Sequence, residues 1–409
     1  MSVRSLAGGV PEPDELFGRG HTIDFIWEQL AGNNVFLVAP RRFGKTGIMG
    51  HLLKRPRAGY LPVYLEVEDL HDPERFAAAL LSALLEHDKL RAVIANAKGI
   101  PGKVMKFIRE NIDKVRLDSF EVELKDLVED SWDSTAKSLI VAMEKAEETV
   151  LFIIDEFPQF VDNVTRKHDV DAGRHFLQWF RSLRMKQKDV LRRYRFVLGG
   201  STSIDMILRR LGIPDKLNDF FRVPIEPLSR ESAEALLDAL AESYNLRFTE
   251  DARRKVFELV DPPVPYFLQL LVSQVRMEES LKGQVLTAEQ VSDIHRRRVL
   301  GPTCRGYFDY YRQRLKRYGD TIERAALAIL GEIASAPTGR VSDVVLYDVY
   351  RKARRRGASS GEFDEIMADL ETDWYVLLDS KTNEYGFLLN VMRDWWNRFH
   401  RGAGRRPAK

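Results

Sequence analysis

Gly44, Lys45 and Thr46 stand in a row and combine a conformationally permissive glycine with an ammonium group and a hydroxyl. Apolar residues at 35–38 precede them and predict a short buried strand, while residues 45–54 predict a helix. A strand, a glycine-containing loop and a helix in this order predict a phosphate-binding P-loop, because N–H groups at a helix N-terminus attract anions. Lys45 would then contact the β- and γ-phosphates of ATP, and the Thr46 hydroxyl would ligate Mg²⁺.

The whole loop is expected to line the nucleotide. Ala39 occupies the place of the first glycine in the pattern G-x-x-x-x-G-K-[ST]. Alanine is the smallest substitute, but it disfavours the positive φ angle that glycine adopts easily. A chance Gly-Lys-Thr sequence is the alternative interpretation, so a second motif has to decide. The loop residues predicted to contact the nucleotide are Pro40, Arg41, Arg42, Phe43, Gly44, Lys45, Thr46 and Gly47.

Two adjacent carboxylates, Asp155 and Glu156, follow five consecutive apolar residues at 150–154. Such a run predicts a strand that is buried on both faces, as in a parallel sheet. Open α/β sheets bind ligands at the carboxyl ends of their strands, so Asp155 is predicted to hold Mg²⁺, directly or through water, together with Thr46. Glu156 is predicted to orient and deprotonate the attacking water, with Lys45 as a second catalytic residue. An acidic turn is the alternative, but the two motifs together favour ATP hydrolysis.

Further residues complete the predicted nucleotide pocket. Phe17 and Arg19 form a Phe-x-Arg turn ahead of the P-loop that would lie against a bound adenine. Ser201 follows a predicted strand at 195–198 and would sense the γ-phosphate or the water, as a third catalytic residue; capping a helix N-terminus is its alternative role. Pro265 begins a helix after a proline-rich turn that would press on the nucleotide base, unless it is a plain turn between helices.

The elements that position these residues predict an α/β fold with three domains. Residues 1–228 are expected to form a P-loop ATPase core with a parallel sheet, residues 229–300 an all-helical lid, and residues 301–409 a winged helix with a basic tail. The core carries an insertion at about residues 87–134. Within it, alternating apolar residues at 115–124 predict a hairpin or edge strands.

The predicted winged helix is not typical of a DNA reader. It carries 19 Lys and Arg against 15 Asp and Glu, and its third helix has no Lys or Arg. DNA phosphates would repel that helix. Basic residues at 351–356 and 401–409 could contact a DNA backbone, with a solvated basic helix end as the alternative. The acidic residues of the third helix are Glu362, Asp364, Glu365, Asp369, Glu371 and Asp373.

The overall composition limits the class of protein. The chain of 409 residues is 44% hydrophobic and 30% charged, which is typical of a soluble protein with two or three domains. A net charge of +2 predicts no general attraction to nucleic acid or to anionic membrane. The single cysteine, Cys304, excludes an internal disulfide framework and fits a cytoplasmic location. Residues 1–10 do not form a secretory signal, and no apolar run is long enough to predict a membrane span.

With these motifs the sequence resembles the archaeal-ATPase-like family of AAA-related, STAND-class P-loop proteins over most of the chain. The resemblance implies ATP, Mg²⁺, a helical lid, a winged helix, and a sheet with an additional strand in which the sensor strand flanks the P-loop strand. It also implies that Ser201 is the sensor residue and that Pro265 approaches the adenine. Ala39 and residues 261–263 depart from the family pattern, which often has glycines there. The motifs that carry the resemblance are the Phe-x-Arg turn, the P-loop, Asp155–Glu156–Phe157–Pro158, Gly200–Ser201, Leu217–Asn218–Asp219, Pro265–Tyr266 and Trp395–Trp396.

Two functions fit these observations. In the first, ATP binding closes the lid and the winged helix onto the core, slow hydrolysis resets the protein, and the partner is another protein or a second copy. In the second, the chain is a DNA-acting ATPase that uses the winged helix and the Arg-rich segments. The acidic third helix favours the first function. An arginine finger from a neighbouring subunit is a further expectation, and its candidates are Arg181, Arg184, Arg209 and Arg210.

Overall fold

A five-stranded parallel β-sheet lies in the first of two compact units, which contains the described residues up to Ile225 except Gly9. The structure is a computed structural model that describes residues 9, 11–111, 118–185, 193–200, 204–354 and 356–400. The second unit is mainly helical. The domain boundaries that the sequence predicts at residues 228 and 300 stay predictions.

The strands of the large sheet are β1 (Asn34–Val38), β2 (Tyr60–Glu66), β3 (Thr149–Asp155), β4 (Tyr194–Gly200) and β5 (Phe220–Pro224). They lie in the order β2-β3-β4-β1-β5, and all neighbouring pairs are parallel. β4 separates β1 from β3 and is therefore the expected additional strand beside the P-loop strand. This order confirms the predicted α/β core, and it brings the carboxyl ends of β1, β4 and β3 together at one edge.

Helices connect these strands. The first helix is amphipathic, and it buries Ile23, Ile26, Trp27 and Leu30 because their spacing places them on one helical face. The helices described in this unit are α1 (Gly20–Leu30), α2 (Lys45–Lys54), α3 (Pro73–Leu85), α4 (Asp88–Ala95), α5 (Gly102–Asn111), α6 (Asp118–Val128), α7 (Trp132–Ala142), α8 (Phe157–Lys167), α9 (Val170–Met185) and α10 (Ile204–Arg210).

An aromatic core fixes α8 and α9 against the sheet. Phe152 of β3 and Phe196 of β4 stack with ring centroids 5.3 Å apart, and Phe180 of α9 meets Phe196 edge-on at 5.2 Å. Phe160 of α8 and Phe176 of α9 pack at 4.9 Å. Such pairs add about 0.5–1.5 kcal/mol each beyond the burial of their surface. The helix that follows the Asp155–Glu156 pair is therefore held on a rigid base.

The prediction of a hairpin or edge strands in the insertion was wrong for the residues that the structure describes. Residues 118–128 form the helix α6, and residues 112–117 lie outside the described part of the chain. Leu124 and Val128 are four residues apart and both are fully buried in the core that α3 also enters. Burial of this helical stripe against a neighbouring helix overrides the short alternating pattern that favoured strands.

The second unit begins with helices and one small sheet. Two-residue strands β6 (Arg247–Phe248) and β7 (Val285–Leu286) pair in parallel. The prediction of a lid without strands was wrong in this point, because strands this short leave no alternating pattern in the sequence. The helices of this unit are α11 (Arg230–Ser243), α12 (Glu250–Leu259), α13 (Pro265–Arg276), α14 (Ala288–Ile294), α15 (Arg305–Arg314), α16 (Asp320–Ser335), α17 (Asp343–Arg354), α18 (Ser360–Thr372) and α19 (Asn390–His400).

Towards its end the second unit contains a three-stranded antiparallel sheet of β8 (Arg340–Ser342), β9 (Val376–Asp379) and β10 (Glu384–Phe387), in the order β8-β10-β9. β9 and β10 form the predicted hairpin, whereas β8 was not predicted. Trp395 and Trp396 of α19 are fully buried; Trp396 lies 5.9 Å from the ring of Phe387 in β10. Among the described residues, no helix has both the length and the apolar character needed to cross a lipid bilayer.

Candidate active site

The loop between β1 and α2 turns without the first glycine of the P-loop pattern. Positive φ angles occur at Arg42 (79°) and at Gly44 (96°), which caps the N-terminus of α2. Ala39, in contrast, is not among the residues with positive φ. The conformation that only glycine adopts cheaply is therefore required at Gly44 and not at Ala39. This explains how the loop tolerates alanine at that position.

Lys45 lies inside this loop. Its side chain is buried at 5% exposure, and its ammonium group donates hydrogen bonds to the carbonyl oxygens of Ala39 (2.6 Å) and Pro40 (2.8 Å). A buried ammonium group is costly unless it is satisfied, and these two carbonyls satisfy it. The loop thus holds the charge of Lys45, the first residue of α2, and an anion is favoured at such a helix N-terminus.

Thr46 connects the loop to the end of β3. Its hydroxyl donates a 2.8 Å hydrogen bond to the carboxylate Oδ2 of Asp155, which is 3% exposed. Burial raises the pKa of Asp155, and the nearby charge of Glu156 raises it further, whereas the Thr46 hydrogen bond opposes this. A hydroxyl and a carboxylate oxygen are hard ligands of the kind that Mg²⁺ takes, in company with waters and phosphates. These two residues therefore fit a magnesium ion.

Glu156 follows Asp155 in a left-handed backbone conformation, with φ of 56°. Its backbone N–H donates to Asp155 Oδ1 at 2.9 Å, so the other oxygen of that carboxylate is held as well. A non-glycine residue in this conformation costs about 1 kcal/mol, and such strain is concentrated at functional sites. The turn directs Glu156 away from the strand at the point where α8 begins.

Two glycines at the end of β4 give this site its close packing. A β-carbon at Gly199 would lie 2.4 Å from Met49 Cε of α2, and one at Gly200 would lie 2.4 Å from Pro158 Cδ of α8. Both distances are far below van der Waals contact. Glycine at these positions therefore lets the P-loop helix and the helix after Glu156 approach the same strand. Sequence reasoning missed this packing role, although two glycines after a buried strand are a signal of close approach.

The side chain of Arg19 lies in the protein interior and not at the surface. It is only 4% exposed, and its guanidinium donates to the carbonyl oxygen of Phe43 at 3.1 Å. Phe43 is itself fully buried, so its side chain anchors the P-loop in the protein interior. Phe17 is partly exposed. Arg19 thus braces the loop from the N-terminus of α1, and contact of Phe17 and Arg19 with adenine stays a prediction.

Two residues that the sequence did not predict border the site. They are Tyr64 of β2 and Glu68 of the turn after β2. Burial and the charge of Asp155 raise the pKa of Tyr64. Arg41 of the P-loop forms an ion pair with Glu68, with Nη1 and Oε1 3.7 Å apart. Burial and the charge of Glu156 raise the pKa of Glu68, and Arg41 opposes the rise. No sequence motif marks either residue, because they come close to the end of β3 only when β2 pairs with β3 in the folded sheet.

Two predicted site residues are not placed beside the P-loop by the structure. Ser201 lies outside the described residues, directly after β4. Pro265 occupies the first turn of α13 in the second unit. Their roles as sensor and as adenine contact stay predictions.

Ion pairs within the first unit involve Arg181, Arg184 and Arg210, which are candidate arginine fingers. Arg184 is 2% exposed and pairs with Asp219 at 2.6 and 3.0 Å, which gives the Leu-Asn-Asp motif a structural role. Arg181 pairs with Asp215, and Arg210 pairs with the buried Asp162 of α8. Arg209, the fourth candidate, is exposed at the end of α10.

Solved structures share this fold, although no protein-family profile and no curated protein matches the sequence. The Walker-type ATPase PABY2304 of Pyrococcus abyssi matches with a TM-score of 0.64 and 16% identity, over 95% of this chain and 99% of that one. The ORC2 protein of Aeropyrum pernix, solved in ADPNP–ADP complexes, matches with a TM-score of 0.56 and 13% identity, over 97% of this chain and 96% of that one. At these identities the likeness establishes the fold alone, an α/β core around a five-stranded parallel sheet.

Proposed function

We propose that this protein binds ATP and hydrolyses it in a Mg²⁺-dependent reaction. The observation that carries the proposal is the hydrogen bond between Thr46 and Asp155. It shows that the hydroxyl at the start of the P-loop helix and the carboxylate at the end of β3 lie side by side, as two ligands of one cation have to. The buried ammonium of Lys45 in the same loop supplies the positive charge that a polyphosphate needs.

The residues divide the chemistry among them. Loop N–H groups, with Lys45, would bind the β- and γ-phosphates, and Thr46 and Asp155 would hold Mg²⁺. The ion would neutralise charge on the phosphate oxygens. Glu156, at the start of α8, would orient the attacking water and accept its proton. Ser201 is proposed as the sensor of the γ-phosphate, with Pro265 and Phe17 near the adenine.

We infer that hydrolysis serves a nucleotide-dependent switch that acts on a protein partner or on a second copy of the chain. The net charge of +2 offers no general attraction to nucleic acid or membrane surfaces. The single buried cysteine, Cys304, is compatible with the cytoplasm, where we place the protein. We also propose membership of the archaeal-ATPase-like, STAND-class family, on the motifs given above.

The second candidate function is a DNA-acting ATPase. In its support, α16, α17 and α18 with the sheet β8-β10-β9 have the composition of a winged helix, which we propose this region to be. Against it stands α18, whose exposed Asp364 and Glu365 would meet phosphates. However, the six acidic residues of the predicted third helix do not all face solvent. Glu362 pairs with Arg354, Glu371 accepts from a backbone N–H, and Asp373 is buried with Arg314.

Light scattering of the full chain tests the switch. Mass and hydrodynamic radius are measured with ATP and Mg²⁺, with ADP, and without nucleotide. The proposal predicts that the ATP state differs from the other two, either by self-association or by compaction. Identical values in all three states would contradict the switch.

An electrophoretic shift assay with duplex DNA separates the two candidate functions. It is run at physiological salt with and without ATP, because phosphate contacts weaken steeply as salt rises. The switch predicts no ATP-dependent shift. A shift that requires ATP would favour the DNA-acting ATPase.

A further inference from the structure

The ion pair between Arg41 and Glu68 links the P-loop to the turn after β2. The guanidinium Nη1 lies 3.7 Å from the carboxylate Oε1, and the two side chains are 36% and 35% exposed. A charge-assisted hydrogen bond is about 2.7–2.9 Å long, so this pair is looser than a committed one. Half-exposed pairs of this kind are weak, and another anion can displace one partner.

Glu68 is held in place through its backbone. The ladder between β2 and β3 continues past the last strand residue, with Val67 N–H donating to Asp155 C=O at 3.2 Å. Asn163 of α8 donates through Nδ2 to the carbonyl oxygens of Glu68 (2.8 Å) and Leu70 (3.2 Å). β3 and the helix after Glu156 therefore both fix the backbone of the turn that carries Glu68.

The position of this pair indicates which part of a nucleotide Arg41 faces. The residue before Glu68 donates its N–H to the carbonyl oxygen of Asp155 at 3.2 Å. The turn that carries Glu68 therefore lies beside the end of β3, where Glu156 follows. A base that activates the attacking water has to face the terminal phosphate. Arg41, drawn towards Glu68, is therefore on the terminal-phosphate side of the loop, whereas Lys45 is bonded inside it.

We propose that Arg41 lets the loop distinguish a nucleoside triphosphate from a diphosphate, and that Glu68 competes with the third phosphate for its guanidinium. The inference rests on the proposed function of the P-loop. A guanidinium binds carboxylate and phosphate oxygens with the same geometry, so one can replace the other. A diphosphate does not reach the pair and leaves it intact. Glu68 thereby sets how much ATP is preferred over ADP.

A double-mutant cycle read as nucleotide affinity tests the proposal. Dissociation constants for ATP and for ADP are measured by calorimetry on the full chain with Mg²⁺. Arg41→Ala is expected to weaken ATP about tenfold and ADP less than about twofold, because a charged hydrogen bond to the third phosphate is lost. Glu68→Gln is expected to strengthen ATP binding about two- to fivefold and to leave ADP unchanged, because a weak competing pair is removed. In the Arg41→Ala background, Glu68→Gln is expected to have no effect on ATP.

Asp69→Asn is the matched control. It removes one carboxylate at the next residue, which is exposed and forms no ion pair among the described residues. It is expected to change ATP affinity less than about 1.5-fold, as an exposed charge does. Arg41→Lys, which keeps the charge and removes the planar fork, is expected to fall between wild type and Arg41→Ala.

Four results would overturn the inference. The first is a gain of ATP affinity from Glu68→Gln that persists without Arg41, and the second is an equal loss of ATP and ADP affinity in Arg41→Ala. The third is a wild-type protein that does not bind ATP, which would overturn the proposed function as well. Wild-type ATP binding without coupling between the two variants would overturn this inference alone.

Discussion

Thr46 and Asp155, 109 residues apart in the chain, are joined by a hydrogen bond of 2.8 Å between the threonine hydroxyl and the carboxylate Oδ2. The contact is possible because β4 lies between β1 and β3 in the sheet, and because the glycines at its end let α2 and α8 pack closely against it. Each residue comes from a different sequence motif. Their contact turns two separate motifs into one candidate site.

Thr46→Val removes the hydroxyl at nearly constant volume and tests the proposed Mg²⁺ site. ATP binding in the presence of EDTA is expected to stay near the wild-type value, because the loop and Lys45 are unchanged. The gain in affinity on adding Mg²⁺ is expected to fall about tenfold, because one of its two protein ligands is lost. Calorimetric titration with and without Mg²⁺ measures both quantities.

Thr46→Ser is the control for this prediction, since it keeps the hydroxyl. It is expected to retain the Mg²⁺ effect. An unchanged Mg²⁺ effect in Thr46→Val would remove the residue from the metal site.

Arg19→Met tests whether Arg19 braces the loop or contacts adenine. Loss of its hydrogen bond leaves the buried carbonyl of Phe43 without this donor, which costs about 1–3 kcal/mol of folding stability. A brace predicts that the affinities for ATP and GTP fall by the same factor and that the melting temperature falls as well. A loss confined to ATP, with stability unchanged, would instead support the adenine contact.

Glu156→Gln separates binding from hydrolysis. The substitution keeps the shape of the side chain and removes its ability to accept a proton from water. Phosphate release is expected to fall about 10²- to 10⁴-fold, while ATP affinity stays within about twofold. The control is Glu147→Gln, an exposed carboxylate ahead of the opposite end of β3. Undiminished hydrolysis in Glu156→Gln would take this residue out of the mechanism.

Glu362→Gln tests the charge pairing of α18. A hydrogen bond from Arg354 at 2.7 Å lowers the pKa of Glu362, and the Tyr350 hydroxyl adds a second. The ionised carboxylate therefore stabilises the fold above its unfolded pKa of about 4.3, and this contribution is lost as pH falls through the lower folded value. Urea denaturation at pH 7 is expected to show that Glu362→Gln has a free energy of unfolding about 1 kcal/mol lower than that of the wild type.

The same loss is expected to shrink as pH falls below the unfolded pKa of about 4.3, and to disappear below the lowered folded pKa, where the wild-type side chain is also neutral. Asp364→Asn, an exposed neighbour on α18, is the control and is expected to leave stability unchanged at both pH values. A loss in Glu362→Gln that is independent of pH would show that its charge is not what stabilises the helix.

The sequence was most informative where the signal is local. The strand before Lys45 and the strand before Asp155 were predicted because an apolar run, a turn and a helix start are consecutive in the chain. The α/β fold was confirmed on this basis, whereas the additional strand, which was also confirmed, had been implied only by the family resemblance. Local patterns failed at α6, where burial of Leu124 and Val128 decided for helix over strand.

Contacts between distant segments could not be predicted from spacing. Nothing around Arg184 distinguishes it from Arg209, yet one is buried against Asp219 and the other is exposed. The pairing of Arg41 with Glu68 depends on the turn after β2 lying beside β3, which only the folded sheet establishes. Burial and ion pairing at these positions follow from strand order and not from motif.

ATP affinity of Lys45→Ala, measured by calorimetry beside the wild type, tests the central claim most directly. Lys54→Ala is the matched control, because it removes an exposed lysine from the far end of the same helix, where it pairs with Glu12. A P-loop predicts that the wild type and Lys54→Ala bind ATP alike and that Lys45→Ala shows no measurable binding. Micromolar ATP affinity retained by Lys45→Ala would contradict the account.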